Sequence, residues 1–255
     1  MDSENFIEQW KKDEAAIFEG WDFSYIKDRC TEKEPPWDYK SLARSLVEKS
    51  TAVLDMATGG GEVFSSLAPF PPYAVATEGY EPNIAVAKRK LEPLGVKVVN
   101  ASDTSVLPFA EGTFDLVLNR HGGLNIPEIY RVLKKGGCFL TQQVSGDNLF
   151  DLLAVFNAKP RWPDNVLNVV QKEMKNTGFE IEKAEEWKGK AIFKDVGALV
   201  YFLKSIPWII DGFSVDSHLN YLEKLQEKLE QDGGLGFTKI RFLILAKKNE
   251  GPSRN

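Results

Sequence analysis

V-L-D-M-A-T-G-G-G-E, running from Val53 to Glu62, is the stretch whose reading decides the fold. An apolar run, Ala52-Val53-Leu54, ends in Asp55, and three consecutive glycines, Gly59 to Gly61, follow shortly after. A short apolar run of this kind reads as a buried parallel strand, and the glycines end it in a tight turn. Glycine has no Cβ, so the backbone there can take positive φ and a ligand can approach it closely. Glu62 to Leu67 reads as the start of a helix whose unpaired N–H groups would face whatever the turn holds. Strand, glycine turn and helix together make a nucleotide-type binding turn.

Two familiar nucleotide turns are excluded by the spacing. A dinucleotide fingerprint, G-x-G-x-x-G, started at Gly59 finds Gly61 but then Phe64 where its third glycine belongs. A phosphate-binding loop needs lysine followed by serine or threonine after its last glycine, and no lysine is near.

Downstream, strands and helices alternate. Tyr73 to Thr77 reads as a second strand ending at Glu78, and Pro82 opens a helix at its favoured first position. Val96 to Val99 is a third strand, ending before Ser102-Asp103. Phe114 to Leu118 is a fourth, followed by Asn119-Arg120-His121. A helix from about Pro127 closes at Gly136-Gly137, and Cys138 to Val144 forms a fifth strand. This alternation implies right-handed crossovers and a parallel sheet, whose ligands bind outside the carboxyl ends of the strands. Asp55, Glu78, Asp103, Asn119 and Gln142 all fall at or just past such ends. Alternation along the fifth strand lets only one of Gln142 and Gln143 face the pocket.

The flanks are helical. Asn5 to Gly20 spaces Phe6, Ile7, Trp10, Ile17 and Phe18 at helical intervals, and Tyr39 to Lys49 reads as another helix. Between them lie Trp21-Asp22-Phe23-Ser24-Tyr25 and Pro35-Pro36-Trp37-Asp38-Tyr39. These aromatics either pack the helices onto the core or form a lid. As a lid, Trp21, Phe23, Tyr25, Trp37 and Tyr39, with Asp22, Arg29 and Asp38, suit a flat or cationic substrate. Later, Asn165 to Thr177 reads as a helix, Glu180 to Phe193 as a strand, and Asp195–Ser205 and Ser214–Gln231 as two more helices. Leu219, Leu222, Leu225 and Leu229 give the last of these a one-sided stripe. Phe237 to Lys247 alternates as a final strand, and Gly251 to Asn255 is a polar tail expected to be disordered.

At 255 residues the chain suits one large α/β domain with additions. A net charge of −5 argues against a nucleic-acid binder, which usually carries a basic excess. The two cysteines, Cys30 and Cys138, have no ligand-spaced neighbours and read as free thiols in a reducing compartment. The N-terminus lacks a signal-peptide pattern, and no apolar run approaches membrane-spanning length. A cytoplasmic, soluble protein is expected, with no metal centre.

The Val53–Glu62 stretch resembles motif I of the class I S-adenosylmethionine methyltransferases, D-x-G-x-G-x-G, with its positions on Asp55, Ala57, Gly59 and Gly61. Ala57 departs from the usual first glycine. The likeness extends in order through Glu78, Asp103 with Leu107-Pro108-Phe109, F-D-L-V at Phe114–Val117 and E-I-Y-R-V-L-K-K-G-G at Glu128–Gly137. Within the superfamily it is most similar to bacterial methyltransferases sharing L-D-x-x-T-G-G-G-E, here Leu54–Glu62, and E-G-Y-x-P-N, here Glu78–Asn83.

That resemblance implies a Rossmann-like α/β fold: a seven-stranded, mostly parallel sheet with an antiparallel last strand and helices on both faces. Residues 1–49 would form a helical lid, 50–193 the core, 194–236 a helical insertion over the substrate, 237–250 the final strand and 251–255 a tail. It implies S-adenosylmethionine as methyl donor and S-adenosylhomocysteine as product. Gly59–Gly61 would meet the amino acid end with Asn119 beside them, Asp55 would orient the loop, and Ala57 and Thr58 belong to the same cofactor-binding turn. Glu78, followed by Gly79 and Tyr80, would accept the ribose hydroxyls, and Asp103 with the Thr104 N–H would hold the adenine. His121, as base or substrate anchor, and Arg120 are the catalytic candidates. Trp21, Tyr25, Trp37, Tyr39 and Gln142 are the substrate candidates. The expected partner is a small molecule, with no membrane or nucleic acid, bound by a monomer or homodimer. An RNA methyltransferase and a non-catalytic S-adenosylmethionine-binding protein are the alternatives.

Overall fold

The computed structural model describes residues 3–18, 22–101 and 106–249. Gly20, Trp21, Asp103, Thr104 and the Gly251–Asn255 tail lie outside them. In chain order the first half contains α1 (Ser3–Ala15), β1 (Cys30–Glu32), α2 (Tyr39–Val47), β2 (Ala52–Met56), α3 (Glu62–Ser65), β3 (Tyr73–Glu78), α4 (Glu81–Leu91), β4 (Val96–Asn100) and β5 (Phe114–Arg120). Then come α5 (Ile126–Val132), β6 (Leu133–Val144), α6 (Phe150–Val155), α7 (Leu167–Thr177), β7 (Phe179–Phe193), α8 (Val196–Ser205), α9 (Leu219–Asp232) and β8 (Leu235–Lys248). The strands form one sheet in the order β1-β7-β8-β6-β5-β2-β3-β4. By contacts the chain divides into two compact units, and β7 and β8 contribute residues to both.

The larger unit includes Pro36–Ser145 and Asp164–Glu186, with the end of β8 from Arg241. Here β6, β5, β2, β3 and β4 run parallel, and Arg241–Lys247 of β8 pairs antiparallel with β6. Chain order reverses between β2 and β5, which is where an open parallel sheet offers its binding crevice. Every residue of β2 is buried, as a strand covered on both faces requires. Ala52, Leu54 and Met56 pack with α5 and α7 residues such as Ile129 and Met174. Val53 packs on the other face with Ala43 and Val47 of α2 and Ala87 and Leu91 of α4. The Asp115 carboxylate on β5 accepts from the N–H groups of Thr51 and Ala52, which anchors the start of β2.

The class and layering agree with expectation, and the differences have local causes. The sheet has eight strands because three residues, Cys30 to Glu32, pair with Ala191–Phe193 of β7. Strand β6 begins at Leu133, opposite Phe114, with a register shift between Phe114 and Leu116. Gly136, at φ 73°, therefore lies within the strand and does not close the preceding helix, which ends at Val132. Helix α3 stops at Ser65; the hydroxyls of Ser65 and Ser66 bond back to the carbonyls of Glu62 and Val63. Helix α9 starts at Leu219, because Ser214 and Ser217 hold the preceding residues in a hydroxyl-bonded turn.

The smaller unit gathers α1, β1, Gly146–Pro163 and Trp187–Ile240 around its own apolar cluster. Its polar centre is Asp13, whose side chain has no exposure. Arg29 reaches Asp13 through two bonds of 2.8 and 3.1 Å, and Tyr25 donates at 2.8 Å. The same guanidinium holds Asp195, which caps α8 by accepting from the Ala198 N–H. Gly197 is required beside it, since a Cβ there would sit 2.0 Å from an Asp13 oxygen. Burial pushes the Asp13 carboxyl up, but Arg29, Tyr25 and Gln9 outweigh it and hold the group below its usual range. Arg29→Ala would leave this carboxylate buried and uncompensated, a loss of about 3 kcal/mol in urea unfolding, and Arg29→Lys would restore only part of it. A loss under about 1 kcal/mol would show that the network is dispensable.

Candidate functional site

The crook after β2 is held to β3 before any ligand is considered. The Thr58 N–H donates to the Thr77 carbonyl at 2.9 Å, and the Ala57 N–H reaches the Thr77 hydroxyl at 3.4 Å. Gly61 N–H closes the turn on the Thr58 carbonyl at 3.1 Å. Gly59 and Gly61 adopt φ of 63° and 79°. A Cβ on Gly61 would also press on Leu91 of α4 at 2.9 Å, so two separate constraints demand glycine there. Ala57, in the position where motif I usually has its first glycine, takes φ 54° without one.

Glu78, at the end of β3, faces this crook. One carboxylate oxygen accepts from the Gly59 N–H at 2.6 Å, and the other accepts from Gly79 and Tyr80 at 2.8 Å each. Only 7% of Glu78 is exposed. Charge-assisted bonds of this kind contribute about 1.5–3 kcal/mol each. Tyr80 itself is exposed, at 64%. Glu62 folds back against Gly60 and pairs with Lys90 at 2.6 Å.

Asp55 lies at the end of β2 and is 8% exposed. Burial raises its pKa to about 7; the negative charge of Glu78 adds to the rise, while Thr58 and Arg120 oppose it. The Thr58 hydroxyl favours the charged form without meeting full hydrogen-bond geometry. With that of Tyr39, it is one of two hydroxyls buried without a partner among the described residues. Burial and the Asp55 charge likewise push the Tyr39 phenol well above its ordinary value, against the pull of Arg120. Asp55, Thr58, Tyr39 and Arg120 thus converge on one polar spot beside the crook.

The ends of β5 and β6 complete the arrangement. Asn119 is fully buried; its side-chain oxygen accepts from Gln143 at 2.6 Å and from the Gly122 N–H at 3.3 Å. Gln143 also donates to the Thr141 hydroxyl. Gln142, on the other side of the strand, accepts from the Trp37 indole at 2.7 Å and lies 3.1 Å from His121 Nε2. His121 is exposed, with φ 63°. Gly122 abuts the first turn so closely that a Cβ would meet that of Ala57 at 2.7 Å.

Asp55, Thr58, Gly59–Gly61, Glu78, Arg120, His121, Trp37, Tyr39 and Gln142 therefore lie in one unit, at the carboxyl ends of its strands. Tyr25 belongs to the smaller unit, where it serves Asp13. Trp21, Asp103 and Thr104 fall outside the described residues. Thr77, Gly122 and Gln143 were not singled out from the sequence. Threonine within a strand and a lone glycine carry no signal of their own, and Gln143 was legible only as the alternative to Gln142.

Residues 54–141, from β2 to β6, match a family described as a methyltransferase domain. The demethylmenaquinone methyltransferase of Thermus thermophilus is 33% identical over 111 residues, covering 40% of this chain and 50% of that protein. That of Listeria monocytogenes is 27% identical over 182 residues, covering 63% of this chain and 75% of that protein. The chain thus spans about half the length of the first of these relatives. A Bacillus halodurans structure provisionally described as a methyltransferase superposes with a TM-score of 0.60 at 22% identity, covering 82% of this chain and 97% of that one. The YcgJ protein of Bacillus subtilis gives 0.57 at 18%, with 83% and 98% covered. These structures establish the Rossmann-like methyltransferase fold. No helix among the described residues is long and apolar enough to cross a membrane.

The Asp55 environment makes a measurable prediction. The unfolded carboxyl ionises near 3.8 and the folded one near 7, so the native state loses stability as pH rises between them. At about 1.4 kcal/mol per tenfold change in acidity constant, the loss is at most roughly 4 kcal/mol. Asp55→Asn is expected to be more stable than the wild type at pH 8 and to close that gap by pH 4, measured by urea unfolding. Parallel pH profiles for the two proteins would contradict this electrostatic reading.

Proposed function

We propose that the chain is an S-adenosylmethionine-dependent methyltransferase acting on a small-molecule acceptor. The observation that carries the proposal is the Glu78 carboxylate turned onto the Gly59 amide. A glycine crook and a carboxylate on the neighbouring strand form a cradle for an adenosyl group whose ribose is read by an acidic side chain. The buried, partnerless hydroxyls of Tyr39 and Thr58 beside Asp55 fit a polar, positively charged ligand end. The methyltransferase-domain match, residues 54–141, takes in Asp55, Thr58, Gly59–Gly61 and Glu78. The narrower likeness to bacterial proteins sharing the Leu54–Glu62 and Glu78–Asn83 stretches belongs to this proposal too.

Bound S-adenosylmethionine would supply a methyl group activated by its sulfonium. Gly59–Gly61 would present backbone groups to the amino acid end, Glu78 would accept from the ribose, and Asp55 with Arg120 would set the local charge. Asp103 and Thr104 remain assigned to the adenine by resemblance. The protein's remaining task is alignment of acceptor with donor, which can supply up to about 7–11 kcal/mol of the barrier. The net charge of −5 favours a small acceptor over RNA. A reduced quinone or other phenolic compound is the first acceptor class to try, because two similar proteins are named as demethylmenaquinone methyltransferases. A cytoplasmic enzyme, monomeric or homodimeric, completes the proposal.

Calorimetry tests it directly. S-adenosylmethionine is expected to bind at micromolar concentration, about −8 kcal/mol. Glu78→Gln is expected to weaken binding roughly 10- to 100-fold while the protein stays folded. Absence of heat at millimolar S-adenosylmethionine, or full affinity in Glu78→Gln, would overturn the reading.

A further inference from the structure

We infer that Trp37 and Gln142 are positioning residues that fix His121 as its Nδ1–H tautomer. The imidazole would then meet the acceptor as a hydrogen-bond donor and not as its base. The role toward the acceptor rests on the methyltransferase proposal; the tautomer does not.

An indole nitrogen only donates, so the group 2.7 Å from Trp37 Nε1 must be the oxygen of the Gln142 amide. The NH2 end of that amide therefore points at His121 Nε2, 3.1 Å away. An amide nitrogen does not accept, so His121 Nε2 must, and the neutral ring carries its proton on Nδ1. The opposite tautomer would set N–H against N–H. Flipping the amide would move the same conflict to Trp37. Gln142 is 5% exposed, which makes an unmet donor there costly.

The backbone holds the ring just as firmly. The His121 N–H donates to the Gln142 carbonyl at 2.8 Å. Its φ of 63° is a left-handed conformation that non-glycine residues seldom keep, and such positions cluster at functional sites. Gly122, packed on Ala57, fixes this turn beside the glycine crook.

A base acting through Nε2 would first have to expel Gln142. A proton on Nδ1 makes that nitrogen a donor, which favours an acceptor molecule with an electron-rich oxygen, such as a phenolate, enolate or carboxylate, near the atom methylated. In the transfer, the acceptor's electron pair forms the bond to the methyl carbon. The carbon–sulfur bond breaks with its pair passing to sulfur, and any proton displaced from the acceptor goes to solvent.

Nitrogen-15 NMR of the full chain reads the tautomer without an acceptor. The chain has two histidines, so His218→Gln identifies the His121 signals. In the wild type, Nδ1 is expected to be the protonated nitrogen and Nε2 the accepting one. Gln142→Glu replaces the NH2 by a second acceptor and should move the proton to Nε2. Trp37→Phe releases the amide and should give a mixture, an independent reading if the first variant fails to fold. An Nε2–H wild type, or a tautomer unchanged in folded forms of both variants, would overturn the inference. S-adenosylmethionine titrated into the same samples separates the two failures. Absent binding with the tautomer pattern intact removes the methyltransferase reading and the acceptor role. A wrong tautomer with the ligand bound removes only the role of Trp37 and Gln142.

Discussion

A single carboxylate organises the candidate site. Glu78 accepts three backbone N–H groups, from Gly59, Gly79 and Tyr80, and so joins the turn after β2 to the turn after β3. Those amides belong to loops at strand ends, where no sheet ladder satisfies them. A shorter side chain at position 78 would not span both turns. Gly59 and Gly61 supply the positive φ that the turn takes, while Thr77 holds the same turn through its carbonyl and hydroxyl.

Around this junction the protein accumulates negative charge. Asp55 is buried close enough to Glu78 for that charge to add to the cost of ionising it, and Arg120 offsets only part of the cost. Two carboxylates, one guanidinium and two partnerless hydroxyls make a poor place for an apolar or anionic ligand and a favourable one for a cation. Strain accumulates here as well. Ala57 and His121, on the turns after β2 and β5, are both left-handed without being glycine. Their turns touch through Gly122, so the geometry of each depends on the other.

Much of this was legible from the chain alone, for reasons that can be stated. Strand β2 was readable because a short apolar run followed by glycines admits few alternatives, and β3 and β5 because each ends in a polar residue. Asp55 and Glu78 could be singled out by position. Elements defined by their partners were harder to see. Cys30–Glu32 is a strand only because β7 lies beside it. Gly136 reads as a helix stop until the pairing of Leu133 with Phe114 is known. Phe150–Val155 is too short to announce a helix by periodicity. In the site, Trp37, Gln142 and His121 were each identifiable as polar or aromatic candidates. Their linkage spans 105 residues between Trp37 and Gln142, and no local pattern encodes it.

The central claim is that Glu78 and the Gly59–Gly61 crook cradle an adenosyl group. A crystal structure of the chain with S-adenosylhomocysteine tests it most directly. The account predicts the ribose hydroxyls on the Glu78 carboxylate and the amino acid end against Gly59–Gly61. The same ligand bound elsewhere, or bound with Glu78 swung away from it, would contradict the account.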